Sequence, residues 1–278
     1  MLAVSAAAIF IRLAEAPAVA IAFWRCALGA AVLLPPALVR KDRFPRGRAL
    51  YAGIASGVAL GAHFGFWISS LDYTSVAASV VLVSTQPVFV AVLAYLLFGE
   101  HTTPLSFLGI VVAIAGTAVI AFDRTVGSAA VLGNVLALLG AVTVAVYVLI
   151  GRSSRTGGVG VLPYSIVVYS AAAATLLPVA LGFEIRLWGY SGETWFWLAA
   201  ITAGPQLMGH TVFNWALRYV QASIISGTIL AEPVVAALLA WLVLSERPGV
   251  LTVVGGAIVL LGLYFLLRGR SAAVEPAP

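Results

Sequence analysis

Two histidines in this sequence are each followed, four residues later, by a second side chain suited to binding a small molecule. His63 precedes Trp67, and His210 precedes Asn214, with Gln206 four residues before His210. Residues four apart lie on one face of an α-helix. Each set therefore predicts a cavity wall, where imidazole and amide groups bind a zwitterion and the indole stacks on an apolar group. The alternatives are hydrogen bonds between helices for the polar groups and an interfacial position for Trp67.

Glu232 is an ionisable side chain within a long apolar stretch. Several roles are consistent with that position. It could bind a substrate ammonium group, relay a proton or form a structural hydrogen bond as the neutral acid. Gln86 occupies the equivalent place in the first half of the chain and has no group that titrates. A symmetric pair of acidic residues that handles protons is therefore excluded.

Two further polar side chains on predicted helices, Ser79 and Tyr147, complete the candidate site. The predicted substrate-binding residues are His63, Trp67, Ser79, Gln86, Tyr147, Gln206, His210, Asn214 and Glu232. We predict no catalytic residue, no metal ligand and no cofactor. Pro87 and Pro233 each follow a residue of this set, and a proline inside a helix removes a hydrogen bond and bends the helix. We interpret the two prolines as hinges; the alternative is a static bend that improves packing.

Arg25 lies inside an apolar run, eight residues after Pro17. At 1.5 Å per residue it starts about 12 Å from that end of the helix. We therefore expect its side chain to extend outward or to pair with Glu15 or Asp72. On this interpretation Arg25 has a structural role.

The composition of the chain indicates that these residues lie within a lipid bilayer. Of the 278 residues, 62% are apolar and 9% are charged, whereas soluble domains have about 25% charged residues. We predict an all-α polytopic membrane protein with ten transmembrane helices, at residues 2–13, 17–39, 48–70, 74–98, 104–122, 129–151, 161–182, 194–216, 219–244 and 248–267. The first run is too short to cross about 30 Å of hydrocarbon, so we expect more of this helix upstream of Met1.

Basic residues are unevenly distributed between the two sides that these runs define. With the N-terminus in the cytoplasm, ten Lys and Arg residues lie on the inner side and four on the outer side. This bias favours cytoplasmic positions for both termini. The net charge of +5 is spread over loops, so we expect the lipid bilayer and a small molecule as partners, and no nucleic acid. Cys26 is the only cysteine, which excludes an intrachain disulfide.

One pattern occurs twice along the chain. The stretch from Gln86 to Glu100 has the same length as the stretch from Glu232 to Glu246, and each begins with a polar residue and a proline. Each copy contains five predicted spans, and because five is an odd number the second copy must enter the membrane inverted. The predicted units are a first repeat at 1–122, a second at 129–267 and a disordered cytoplasmic tail at 268–278.

Glycines recur at matching places in the two copies. The spacing that separates Gln86 from Glu232 also separates Gly109 from Gly255 and Gly116 from Gly262. Small residues allow close contact between membrane helices. We expect such contact within one chain or between protomers, and a monomer or weak homodimer.

Three short motifs carry a resemblance to a known family. They are Phe23-Trp24-Arg25, Gln86-Pro87 with Phe98-Gly99-Glu100, and Glu232-Pro233 with Ser245-Glu246. In order and spacing they resemble the EamA-type branch of the drug/metabolite transporter superfamily, although the short first run departs from its pattern. The chain looks most similar to aromatic amino acid and metabolite exporters of bacterial inner membranes. The resemblance implies a secondary transporter that exports small amphipathic metabolites by alternating access around a central cavity.

The cargo and the class of protein each have an alternative. Related families carry nucleotide sugars or phosphorylated sugars, which need clustered Lys or Arg within the membrane, and here only Arg25 qualifies. Aromatic and other amino acids are therefore favoured, with other neutral metabolites or drugs as the alternative. An intramembrane enzyme is the alternative of another class, but the sequence has no Walker A loop, His-Glu-x-x-His, Gly-x-Ser-x-Gly or dinucleotide loop. A membrane scaffold without a cavity is disfavoured by the repeated polar faces.

Overall fold

The computed structural model describes residues 2–98, 103–121, 129–216, 218–219 and 232–272. The helices are α1 (Leu2–Ser5), α2 (Ala7–Leu13), α3 (Ala18–Val39), α4 (Arg48–Ser70), α5 (Val76–Val83), α6 (Gln86–Phe98), α7 (Pro104–Ala121), α8 (Ala130–Thr156), α9 (Val161–Gly182), α10 (Gly192–Ile201), a π-helical segment (Thr202–Thr211), α11 (Val212–Ala216), α12 (Glu232–Leu244) and α13 (Val250–Ala272). Within the described residues there is no strand, so the prediction of an all-α chain is confirmed there.

Six helical stretches in the described part of the chain are long and apolar enough to cross a membrane. They are Ala18–Val39, Arg48–Ser70, Val76–Leu93, Ala130–Thr156, Val161–Gly182 and Val250–Gly269. Three shorter apolar helices cover Ala3–Leu13, Pro104–Ile120 and Glu232–Leu244. The chain is therefore a multi-pass membrane protein, and the number of ten spans stays a prediction. Residues 268–272 continue α13, and the rest of the predicted tail, residues 273–278, lies outside the described residues.

Large apolar side chains cover the outward faces of several helices. Phe107 on α7, Leu181 on α9 and Leu242 on α12 are among the exposed ones. Apolar surface of this extent is unfavourable in water, whereas it matches the hydrocarbon of a bilayer. The outward faces therefore support the assignment to a membrane.

Helices at equivalent places in the two halves pack against each other. The most extensive helix–helix contact in the described chain joins α7 to α13, and α3 packs on α9. α4 of the first half packs on α8 of the second. In the reverse pairing, α1 packs on the π-helical segment and α2 packs on α10. These paired contacts arrange the two halves around a common centre.

The α7–α13 contact leaves no room for side chains at its glycines. A Cβ atom added at Gly109 would lie 2.4 Å from the backbone nitrogen of Leu266, and one at Gly116 would lie 2.6 Å from that of Val259. Gly262 on α13 faces the backbone of α7 equally closely. The close contact expected from the repeated glycines is thus present within one chain.

The fourth predicted run is interrupted. α5 ends at Val83, α6 begins at Gln86, and the two residues between them form a turn. The Thr85 hydroxyl donates a hydrogen bond to the carbonyl oxygen of Leu82 at 2.6 Å, which satisfies one acceptor at the end of α5. The prediction of a continuous helix bent at Pro87 is therefore corrected. Pro87 is the second residue of α6, where a missing N–H breaks no helical hydrogen bond.

In the second copy the described residues resume at the equivalent position. Glu232 and Pro233 are the first two residues of α12, as Gln86 and Pro87 are of α6. Whether the two prolines act as hinges stays a prediction.

Candidate functional site

A cavity lies at the centre, between helices from both halves of the chain. It is lined by Val4, Ala7, Arg25, His63, Trp67, Val83, Ser84, Gln86, Val144, Tyr147, Val148, Pro205, His210, Phe213, Asn214 and Glu232. Its volume is about 80 Å³, which is room for a few water molecules. Seven of the nine predicted substrate-binding residues are in this lining. The two that are not are Ser79 and Gln206.

His63 is fixed by α8, which packs directly against α4. Its Nδ1 lies 2.9 Å from the carbonyl oxygen of Gly140 on α8. A carbonyl oxygen only accepts, so Nδ1 carries the hydrogen and Nε2 of the neutral ring is an acceptor. His63 thus both forms a hydrogen bond between two helices and lines the cavity. The two roles considered for it, cavity wall and contact between helices, are compatible.

Trp67 stacks beside His63 and is shielded from lipid. The two rings are nearly parallel, at an interplanar angle of 5°, and their centroids are 5.9 Å apart. The side chain is 4% exposed, so Trp67 is not an interfacial residue. Its indole Nε1 is buried without a hydrogen-bond partner in the described chain.

The polar groups of Tyr147 and Asn214 belong to one network at the cavity wall. The Tyr147 hydroxyl donates to Asn214 Oδ1 at 2.6 Å, and Asn214 Nδ2 donates to the Ser165 hydroxyl at 3.3 Å. Arg155 Nε donates to the backbone oxygen of Asn214 at 2.8 Å. These bonds hold α8, α9 and α11 together and fix the orientation of both lining residues.

The π-helical segment separates residues that an α-helix would place on one face. His210 and Asn214 line the cavity, whereas Gln206 is fully buried behind the wall. The backbone oxygen of Gln206 accepts a hydrogen bond from the Thr211 hydroxyl at 3.3 Å, five residues later. A π-helical turn is wider than an α-helical one, so the expectation that all three residues share one face holds only for His210 and Asn214. π-Helical turns are rare and are frequently found at functional sites.

Arg25 is placed differently from its prediction. The side chain is 1% exposed and lines the cavity. Its Nε donates to Gln206 Oε1 at 2.8 Å, and its guanidinium carbon lies 3.8 Å from the centroid of the Phe64 ring. Among the described residues no salt bridge joins it to Glu15 or Asp72. The expectation that Arg25 extends outward is therefore wrong. Its position within an apolar helix is the sequence feature that indicates a side chain facing the interior of the bundle.

Ser79 does not reach the cavity, and Ser84 does. The Ser79 hydroxyl lies 2.6 Å from the Ser70 hydroxyl, within the contact between α4 and α5. Ser84 occupies the turn between α5 and α6 and lines the cavity, with its buried Oγ unpaired in the described chain. The sequence analysis missed Ser84 because helical spacing gives no sign of an interrupted helix.

Gln86 and Glu232 occupy equivalent places in the two copies of the repeat. Each is the first described residue of its helix, and both line the cavity. At Gln86, which follows the turn at Ser84 and Thr85, the N-terminal end of α6 carries positive partial charge. Among the described residues, His63, His210 and Glu232 do not form a cluster able to hold a metal ion.

Charged residues from both halves meet at one end of the bundle. Glu246 accepts a hydrogen bond from the backbone nitrogen of Val76 at 2.6 Å and lies 3.6 Å from Arg12. Arg12 also donates to the backbone oxygen of Thr74 at 3.3 Å. Burial raises the pKa of the adjacent Asp72 carboxyl, and the Arg12 guanidinium opposes that rise. These contacts tie α2, α5 and the loop before α13 together; Glu100, the counterpart of Glu246, lies outside the described residues.

Comparisons with known proteins agree with this architecture. A family model described as the EamA-like transporter family matches residues 1–122 and again residues 131–268. The crystal structure of a protein with 20% sequence identity matches with a TM-score of 0.70, over 98% of this chain and 95% of that chain. At that identity the likeness concerns the fold alone. No curated protein sequence matches at a significant level.

Proposed function

Because this chain belongs to the EamA-like transporter family, which its two halves match in turn, we propose that it is a secondary transporter exporting small amphipathic metabolites. Aromatic and other amino acids are the preferred cargo in this proposal. The membrane is the inner membrane of a bacterium, and both termini lie in the cytoplasm. The protein works as a monomer or weak homodimer.

The mixture of side chains around the cavity carries the proposal about the cargo. Trp67 and Phe213 offer aromatic surface, while His210, Asn214 and Glu232 offer hydrogen-bonding and charged groups. Small-molecule sites combine an apolar wall with a few polar groups that fix orientation. An amphipathic solute matches such a wall, with its apolar part on the rings and its polar part on the amide, imidazole and carboxyl groups.

The size of the cavity supports movement of its walls during transport. Pockets that enclose small ligands measure roughly 300–1,000 Å³, whereas this one measures about 80 Å³. Loading an amino acid therefore requires α6, α12 or the helices around them to move apart. The contacts of Arg12 and Glu246 join helices from both halves at one end of the bundle, which supports a state closed at that end in an alternating-access cycle.

Counterflow in proteoliposomes tests the proposed function. Vesicles containing purified protein are loaded with unlabelled phenylalanine and diluted into a trace of labelled phenylalanine. We expect the tracer to accumulate transiently in these vesicles and not in protein-free vesicles. Absence of counterflow with every amino acid and neutral metabolite tested, together with turnover of a lipid or peptide, would replace the transporter with an intramembrane enzyme.

A further inference from the structure

Arg25 is a buried cation that has no acidic partner in the described chain. Its side chain is 1% exposed, and the salt bridge recorded among the described residues joins Arg12 to Glu246 instead. Glu232 lines the same cavity but forms no salt bridge with Arg25 within the described residues. A buried charge without a partner is unfavourable, and a guanidinium remains protonated in proteins. An anion from outside the described chain would neutralise this buried charge.

The guanidinium is held in place before any ligand arrives. Gln206 accepts from Nε at 2.8 Å, and the Phe64 ring lies under the guanidinium carbon at 3.8 Å. Gln206 itself packs closely against Gly29, where an added Cβ atom would lie 3.1 Å from Gln206 Cγ. These contacts use Nε and one face of the group, while Nη1 is buried without a partner in the described chain. Nη1 is thus a fixed and unused hydrogen-bond donor of a cavity residue.

Other unused donors lie around the same cavity. Five buried side-chain nitrogen or oxygen atoms of the described residues have no hydrogen-bond partner, and three belong to the cavity residues Arg25, Trp67 and Ser84. A fourth is Nε2 of Gln206, on the amide that holds Arg25. Buried polar groups in proteins are normally paired. A concentration of unpaired donors therefore indicates a ligand that supplies acceptor oxygens.

We propose that Arg25 binds a carboxylate group of the cargo through Nη1, with the Gln206 amide and the Ser84 hydroxyl close to the same anion. The guanidinium fork matches carboxylate geometry, and the N-terminal end of α6 at Gln86 adds positive partial charge. This inference rests on the proposed transport function and narrows it. The cargo is an amphipathic carboxylate, and a solute of the same shape without the carboxylate binds weakly.

Two ligands that differ only at this group test the proposal. L-phenylalanine and L-phenylalaninol share the ring and the amine, and the second has a hydroxymethyl group in place of the carboxylate. Each is titrated into purified protein, and intrinsic tryptophan fluorescence is recorded. We expect phenylalanine to bind at least about tenfold more tightly than phenylalaninol, because one charge-assisted hydrogen-bonded pair is lost. Equal affinities for the two ligands would overturn the proposal.

Two substitutions assign the preference to Arg25. Arg25→Gln should abolish the difference between the ligands, because phenylalanine loses the charge-assisted pair that phenylalaninol never makes. Arg268→Gln on the exposed face of α13 is the control, and it should keep the wild-type preference. A folded Arg25→Gln protein that still prefers phenylalanine would show that Arg25 is structural.

Gln206→Glu provides the test if Arg25→Gln does not fold. The new carboxylate would lie where Gln206 Oε1 now accepts from Arg25, so it would neutralise the guanidinium and compete with the cargo. We expect the preference for phenylalanine to disappear while the unfolding temperature stays the same or rises. Retention of the preference in this variant would contradict the proposal.

The outcomes separate this inference from the proposed function. Binding and counterflow of phenylalaninol or other solutes without a carboxylate, at least as strong as those of phenylalanine, would leave the transporter in place and remove the Arg25 site. Failure of every solute in the panel to bind or to move would overturn the transport function and the carboxylate site together.

Discussion

The indole of Trp67 is positioned by its neighbours on α4 and α8. The His63 imidazole lies parallel to it, and the hydrogen bond from His63 to Gly140 fixes that imidazole. Gly140 also makes room for the indole, since a Cβ atom there would lie 3.1 Å from Trp67 Cβ. A ring held in this way can accept an apolar side chain without a further loss of conformational entropy.

Removal of this ring should weaken binding of an aromatic cargo. Trp67→Ala removes a stacking partner, and such contacts contribute about 1 kcal/mol, or about fivefold in affinity. The half-saturation concentration for phenylalanine in counterflow measures the effect. Trp241→Ala is the matched control, because this indole is exposed on the outer face of α12. An unchanged half-saturation concentration in well-folded Trp67→Ala protein would remove Trp67 from the binding site.

Several residues of the site could be predicted from the sequence, and the reason for the misses is physical. A polar group four residues from another in an apolar run gave His63, Trp67, His210 and Asn214 directly. Arg25 was misplaced because distance along a helix gives depth in the membrane but not the direction of the side chain. The direction is set by Gln206, a residue far away in the sequence.

At the scale of single helices, the structure agrees with most of the sequence prediction and differs from it at two places. Hydrophobic runs located the helices well: the run at 17–39 is α3 (Ala18–Val39), and the run at 161–182 is α9. The break between α5 and α6 falls on Ser84 and Thr85, and the π-helical segment is more polar than α10 before it. Polar residues also occur inside continuous membrane helices, so hydrophobicity alone predicts neither feature. Pro205 within the π-helical segment is the visible sign, since a proline N lacks the hydrogen that an α-helix requires.

Loss of the prolines at the starts of α6 and α12 should slow transport more than it weakens binding. Alanine at position 87 or 233 restores an N–H and favours a continuous helix. For Pro87→Ala this would stiffen the turn at Ser84. We expect the maximal counterflow rate to fall several-fold while the dissociation constant of phenylalanine changes little. Pro178→Ala in the exposed part of α9 is the control, and wild-type rates in both variants would exclude the hinges.

The contact between α7 and α13 should tolerate no added methyl group. Gly116→Ala puts Cβ 2.6 Å from the backbone nitrogen of Val259, so the helices must separate, at about 1–3 kcal/mol. We expect a lower unfolding temperature in detergent. Gly182→Ala at the end of α9 is the matched control, because its Cβ would meet no atom within 4 Å. Equal unfolding temperatures for the two variants would contradict this packing.

At the scale of the whole molecule, the duplication explains why the site lies where it does. Each half supplies lining residues, for example His63 and Gln86 from the first and His210 and Glu232 from the second. The helices of each half pack against those of the other half. The cavity therefore lies between the two halves, with part of its wall from each. A cavity shared by two inverted copies can be exposed to each side of the membrane in turn.

The inverted relation of the two halves is the central claim, and sided labelling of engineered cysteines tests it most directly. Arg43 in the loop after α3 and Glu184 in the equivalent loop after α9 are exposed, while the native Cys26 is buried and serves as an unreactive background. In intact cells, a membrane-impermeant maleimide should label Glu184→Cys and spare Arg43→Cys, with both labelled after permeabilisation. Labelling of both positions from the same side would contradict the inverted repeat and, with it, transport by alternating access.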